Sequence, residues 1–211
     1  MHVRCLALAA ILLAPLATPL EAGLFGVPKF KVERSDNRFS SNGLTTYSGM
    51  WNRISKKSLA GGTHIDSSGV FVEPVAIKKA DSTTVALSFF IHNDVSDGTG
   101  LGAALTLGEP QRISFVTGEG TLIQLPISRG ERRWSDITAY NSVTRTVSTG
   151  VWETGFAEVT SEQYQRIMNA PQLLARIEGD KRRMTYEAKD ISKTFQINLK
   201  AFWADYAAGR K

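Results

Sequence analysis

Apolar and polar positions alternate along most of the chain from residue 44 onward. At 84–91, Val85, Leu87, Phe89 and Ile91 fall on one side and Thr84, Ala86 and Ser88 on the other. This period of two predicts a strand with one buried face. Two apolar runs, 70–72 and 75–77, lie on either side of Pro74. Proline offers no N–H to a ladder, so this segment is expected at a sheet edge or at a bulge. The runs 112–117 and 121–127 flank Gly118-Glu119-Gly120, the spacing of a hairpin with a three-residue turn. Further strands are expected at 44–54, at 143–149 and 151–158 around Gly150, and at 172–178. Residues 184–186 are expected to pair with the last of these across Gly179-Asp180. The serine- and glycine-containing stretch 35–43 reads as a loop.

The period changes near the C-terminus. Thr160 stands three residues before Gln163, with Val159 and Tyr164 placed as a hydrophobic staple. Tyr164, Ile167 and Met168 share a face, and Pro171 ends the pattern, which predicts a helix near 160–170. A second helix is expected near 190–208, where Ile191, Phe195, Leu199, Phe202 and Tyr206 follow a 3.6-residue period. Phe195, Ile197 and Leu199 also alternate, so 194–199 has strand as a competing reading. The longer stripe favours helix. The fold class that follows is mainly β, a sandwich-like or strongly bent antiparallel sheet, with two C-terminal helices and an α+β appearance. No repeat or long linker interrupts the chain, so 23–211 is expected to form one domain.

The first residues follow a different pattern. Arg4 precedes an uncharged apolar run at 6–16, and Pro15, Pro19 and Glu21 follow. That run is shorter than the roughly 20 apolar residues that span a bilayer, and it matches a signal peptide over 1–22. Cys5, the single cysteine, precedes the run rather than following it, which is the wrong order for lipid attachment. Cleavage would leave a chain with no cysteine, no disulfide and no transmembrane segment. No Asn-x-Ser/Thr acceptor occurs either. A periplasmic or secreted protein of a bacterium is therefore expected.

Charge adds a partner class. The chain carries 25 Lys and Arg against 20 Asp and Glu, a net charge of +5. Loss of 1–22 removes one Arg and one Glu and leaves the balance unchanged. Outside the cytoplasm such a surface suits an anionic envelope component, acidic sugar or lipid phosphate, and nucleic acid is not expected. The same charge also serves plain solubility. The basic residues concentrate in two places. Arg129, Arg132, Arg133 and Trp134 follow the hairpin in an expected loop, and Lys181, Arg182 and Arg183 follow the Gly179-Asp180 turn. Arginine beside an exposed indole is suited to acidic groups. Glu131 and Asp180 partly neutralise both clusters. Trp203 falls off the helical stripe and is expected to face outward.

Catalytic chemistry has few candidates. His64 precedes Asp66 by two residues and His92 precedes Asp94 by two, so each pair shares one side of a strand. An oriented base for a hydrolase, or a metal ligand set, could be assembled from them. The simpler reading places His92 on the polar face of its strand, beside a turn begun by Asp94. Two histidines without cysteine make a thin ligand set, so no metal or cofactor is expected. An EF-hand alignment of 93–98 puts Val95 where an oxygen ligand belongs. No nucleophile elbow, Walker loop, dinucleotide fingerprint or HExxH occurs. The leading expectation is a non-enzymatic binding or interaction protein. An exported hydrolase using His92/Asp94 or His64/Asp66 is the alternative. A secreted effector or assembly subunit acting by protein contact is a third.

Overall fold

The computed structural model describes residues 29–36, 43–55, 69–79, 83–97, 106–134, 139–141 and 146–208. The expected signal segment, residues 37–42 of the predicted loop, the start of the strand expected at 143–149, and the pair His64 and Asp66 lie outside the described residues.

The described chain is mainly β, with ten strands and two helices. The strands are β1 (Lys31–Asp36), β2 (Thr45–Met50), β3 (Gly69–Lys78), β4 (Thr84–Asp97), β5 (Pro110–Thr117), β6 (Leu122–Trp134), β7 (Ala139–Asn141), β8 (Thr146–Glu158), β9 (Leu173–Gly179) and β10 (Arg183–Tyr186). Helix α1 (Ser161–Asn169) separates β8 from β9, and α2 (Phe195–Ala208) closes the described chain. The strands form one antiparallel sheet in the order β1-β2-β3-β4-β8-β6-β5-β9-β10, with β7 also paired to β8.

The chain leaving β2 turns to meet the residues that follow β10. Trp51 takes a left-handed φ of 66° and turns the chain at the end of β2. Beyond this kink, Ile54 donates to the Val70 carbonyl at 3.1 Å, and Val72 donates to the Asn52 carbonyl at 3.0 Å. On its other side the same segment bridges the residues after β10. Ser55 pairs with Ile191, and Ser192 donates to the Ile54 carbonyl at 2.7 Å. The result is a strongly bent sheet, one of the two forms the periodicity predicts.

The inner face and the helices share one core. Val72, Phe89, Ile91, Ile113, Phe115, Leu125 and Ile177 pack there with Tyr164, Phe202 and Tyr206. Burying each large apolar side chain stabilises the fold by roughly 1.5–3 kcal/mol. The capping box of α1 forms as its spacing predicts. Gln163 N–H donates to Thr160 Oγ1 at 3.1 Å, and the Thr160 amide donates to Gln163 Oε1 at 3.0 Å. Gln196 of α2 then donates to the Ile167 and Ala170 carbonyls, both at 2.9 Å, satisfying the open end of α1. Residues 195–199 are helical, and the buried stripe of α2 is Phe195, Leu199, Phe202 and Tyr206. Ile191 is buried outside the helix, in its bridge to Ser55.

Several local expectations are corrected by pairing. Val85 is 52% exposed, because the β3–β4 register shifts there: Ile77 faces Ala86 and Lys78 faces Thr84, leaving Val85 as an extra residue. Pro74 lies inside the sheet, on a strand flanked by β2 and β4, rather than at an edge. The β2 ladder stops beside it at Ser48↔Val75, so no partner there requires its missing N–H. Gly150 does not separate two strands, because β8 runs unbroken through it with Ser96 opposite. Trp203 faces inward in part, stacking on Tyr164 with ring centroids 5.2 Å apart.

Lys78 has the least expected position. It is 2% exposed, donates to the Tyr206 carbonyl at 2.5 Å, and lies 4.2 Å and 5.1 Å from the Tyr206 and Tyr47 ring centroids. Two ring faces and the carbonyl end of α2 stabilise the ammonium. The Tyr206 hydroxyl also hydrogen-bonds Thr84 Oγ1, so the C-terminal helix is tied to β3 and β4 by polar contacts as well as packing.

Candidate functional site

Arg129, Arg132, Arg133 and Trp134 lie in strand β6 and not in the loop the sequence predicts. The run has no apolar alternation, yet pairing with β8 holds it extended: Arg132 faces Glu153, Arg133 faces Trp152, and Trp134 faces Val151. Between Ser128 and Glu131 the register slips, and Arg129 takes a left-handed φ of 55° at this bulge. Next to it, a Cβ on Gly130 would stand 2.5 Å from the Pro110 carbonyl oxygen. Only glycine lets the chain before β5 cross so close.

That crossing segment, 107–110, is held by a buried carboxylate. Glu153 is fully buried. Its Oε2 accepts from Asn93 Nδ2 at 2.8 Å and from the Leu107 amide at 2.7 Å, and Oε1 accepts from the Gly108 amide at 2.7 Å. Arg132 Nε lies 3.7 Å from Oε1. A buried carboxylate is tolerated where N–H donors and a cation surround it, as here.

The β9–β10 turn docks on the same segment. Lys181 and Arg182 each donate a backbone N–H to the Leu107 carbonyl at 3.1 Å, and the Glu109 amide donates to Asp180 Oδ1 at 2.7 Å. The two basic clusters therefore flank one stretch of chain. Their side chains differ in availability. The Arg132 guanidinium lies 4.8 Å from the Trp134 ring centroid, and Arg133 Nε pairs with Glu131 at 2.6 Å. Arg129, Lys181, Arg182 and Arg183 are exposed and form no ion pair among the described residues. Nearby, Arg112 is engaged by Glu178 at 2.7 Å.

His92 is neither beside a turn nor on open surface. β4 continues to Asp97, and the His92 side chain is only 20% exposed. Its ring stacks on Phe71 with centroids 4.5 Å apart and on Phe90 at 5.6 Å. Nε2 lies 3.4 Å from Glu73 Oε1, which also accepts the Trp51 amide at 2.6 Å. Asp94 is on the same side of β4. Burial pushes its carboxyl up from 3.8 to about 6, and His92 pulls in the opposite direction. No serine or threonine hydroxyl hydrogen-bonds His92 among the described residues, and no three acidic, histidine or cysteine side chains converge as a metal site among them.

The outward face carries a second pattern. Across β4 and β8, Phe90 faces Phe156, His92 faces Thr154, and Asp94 faces Trp152. Across β8 and β6, the same β8 residues face Ser128, Glu131 and Arg133. Glu73, Glu153, Trp152 and Phe156 are thus site residues that sequence reasoning missed. Glu153 has a sequence signal, since it interrupts the apolar register of Val151, Gly155 and Ala157. The other three have none without the pairing.

Comparison with protein-family models, with curated proteins and with solved structures finds no match.

Proposed function

We propose that the protein is an exported, non-enzymatic binding protein that recognises an anionic component of the bacterial envelope or its surroundings. The observation carrying this reading is the shared docking of the two basic clusters on 107–110. Four of the seven basic-cluster cations and aromatic neighbours, Arg129, Lys181, Arg182 and Arg183, stay exposed and outside ion pairs among the described residues. Backbone hydrogen bonds fix the turn that carries three of these cations, so anion binding has mainly side chains left to order. Export rests on the pattern of 1–22, and a periplasmic or secreted location follows from it. Among the described residues, no helix is long and apolar enough to cross a membrane.

The test is binding of the full chain to phosphatidylglycerol vesicles and to polygalacturonate at two salt concentrations. Each basic side chain near an anionic surface contributes about 1 kcal/mol at low salt. The joint change of Lys181, Arg182 and Arg183 to Ala should then weaken binding on the order of tenfold to a hundredfold and flatten its salt dependence. Equal binding by this variant, or no binding to either probe, would defeat the reading.

A second reading is supported by the proximity of Glu73 and His92. A carboxylate 3.4 Å from Nε2 polarises an imidazole, as a hydrolytic base requires. It still needs a nucleophile or activated water at the outward face. Turnover of ester or glycoside substrates that vanishes in His92→Gln would establish it.

A further inference from the structure

We infer that the outward face of β5, β9 and β10 binds a phosphate monoester group, held by Arg176 and Arg183. This rests on the anionic-ligand reading, names the class of ligand and adds residues outside the two basic runs. Ile113, Phe115, Ala175, Ile177 and Tyr186 belong to the core, so the residues alternating with them face outward. Arg112 faces Glu178 across β5 and β9, and Arg183 faces it across β9 and β10. In the next row, Ser114 and Thr185 stand on either side of Arg176. Arg176 is therefore diagonal to both other arginines, a Cβ separation of about 7–8 Å that long side chains can close. One row further, Val116 lies between Leu122 and Leu174, and the charges end.

The three guanidiniums are not equally engaged. Arg112 Nε donates to Glu178 Oε2 at 2.7 Å, and its Nη2 donates to the same oxygen. Arg176 uses Nε for Thr185 Oγ1 at 3.2 Å, while its Nη groups form no hydrogen bond among the described residues. The Arg183 side chain has no hydrogen bond or ion pair among them. Three arginines against one glutamate leave two positive charges on this face. In the adjoining turn, Lys181 and Arg182 are matched in number by Asp180 and Glu109, so the excess comes from the sheet. Glu187 follows β10 at the apolar end. A phosphate monoester carries about −1.5 to −2 charge at pH 7 and three strong acceptor oxygens. It matches that excess, and its oxygens can meet two guanidiniums and the flanking hydroxyls from separate directions. A carboxylate brings one charge and two oxygens, and Glu178 already supplies one. Beside Arg176, the residues Gln111, Arg112, Pro126 and Glu178 line an open cavity of about 270 Å³, which leaves room for the alcohol part of the ester.

The experiment titrates the full chain, by calorimetry, with glycerol 3-phosphate and with phosphatidylcholine vesicles. The vesicles carry either phosphatidate, a monoester, or phosphatidylglycerol, a diester, at matched surface charge. A monoester probe should bind, and phosphatidate at least tenfold more tightly than phosphatidylglycerol if the ligand is membrane-borne. Binding of glycerol 3-phosphate with no vesicle binding supports the same site and assigns it a soluble ligand. In either case Arg176→Gln should weaken monoester binding tenfold or more. Arg176→Lys should recover only part of it, because the charge returns without the planar fork. Urea midpoints equal to the parent's show that both variants are folded. Equal binding of the two lipids, or of the parent and Arg176→Gln, overturns the monoester site. The anionic reading then still stands if the Lys181/Arg182/Arg183 variant loses affinity for phosphatidylglycerol. Failure of every anionic probe removes both.

Discussion

Gly108 donates its amide to Glu153 Oε1 at 2.7 Å, across 45 residues of sequence. The contact places a loop amide on a fully buried carboxylate, and φ at Gly108 is 85°, a backbone state that side-chain-bearing residues rarely adopt. A Cβ there would also fall within 3 Å of the Asp180 carboxyl and of Lys181 Cγ. One glycine therefore holds the buried anion on one side and the basic turn on the other.

Glu153→Gln should expose how much this tie contributes. The amide replaces one acceptor oxygen with a donor that meets N–H groups, and the charge beside Arg132 is lost. Stability should fall by about 2–4 kcal/mol, read from the urea midpoint. Amide exchange at Leu107 and Gly108 should accelerate with it. An unchanged midpoint would mean that packing alone positions 107–110.

Asp94 predicts a pH effect of definite sign. Its carboxyl is raised from 3.8 to about 6 by burial, so the folded state holds a proton that the unfolded state has already released. This contribution is fully present below about pH 4 and is lost as pH rises to about 6. The loss is on the order of 3 kcal/mol for a shift of that size. Asp94→Asn should match the parent near pH 4 and exceed it above pH 6. Thermal melts of both proteins across this range give the difference directly, and parallel curves would refute the assignment.

Lys78 is the third site where a single change is informative. Lys78→Met keeps most of the stem but leaves the Tyr206 carbonyl and two ring faces without the ammonium. A loss of about 1–3 kcal/mol is expected, with the last turn of α2 losing amide protection first. A variant as stable as the parent would show that the buried charge and the apolar isostere are equivalent here.

The legible parts of the fold share a short range. Thr160 and Gln163 mark the start of α1, the stripe from Phe195 to Tyr206 marks α2, and Gly118-Glu119-Gly120 marks the β5–β6 turn. Each depends on residues within a few positions of one another. Arg129 to Trp134 reads as loop because nothing local makes it a strand; the β8 ladder does. Gly150 reads as a break for the same reason, and Ser96 opposite it carries the strand through. The basic residues of the proposed site are visible in the sequence as two separate runs, but their common support on 107–110 is not.

Strand and helix identity, the mainly β class and the C-terminal helices follow from periodicity and capping, which are encoded by neighbours in the chain. The bridge between Ser55 and Ile191, the burial of Lys78 and Glu153, the stacking of His92, and the exposure of Trp152 follow from contacts between residues far apart. Periodicity says which side of an element is apolar. It does not say which distant strand covers that side, and burial, charge pairing and site geometry depend on that choice.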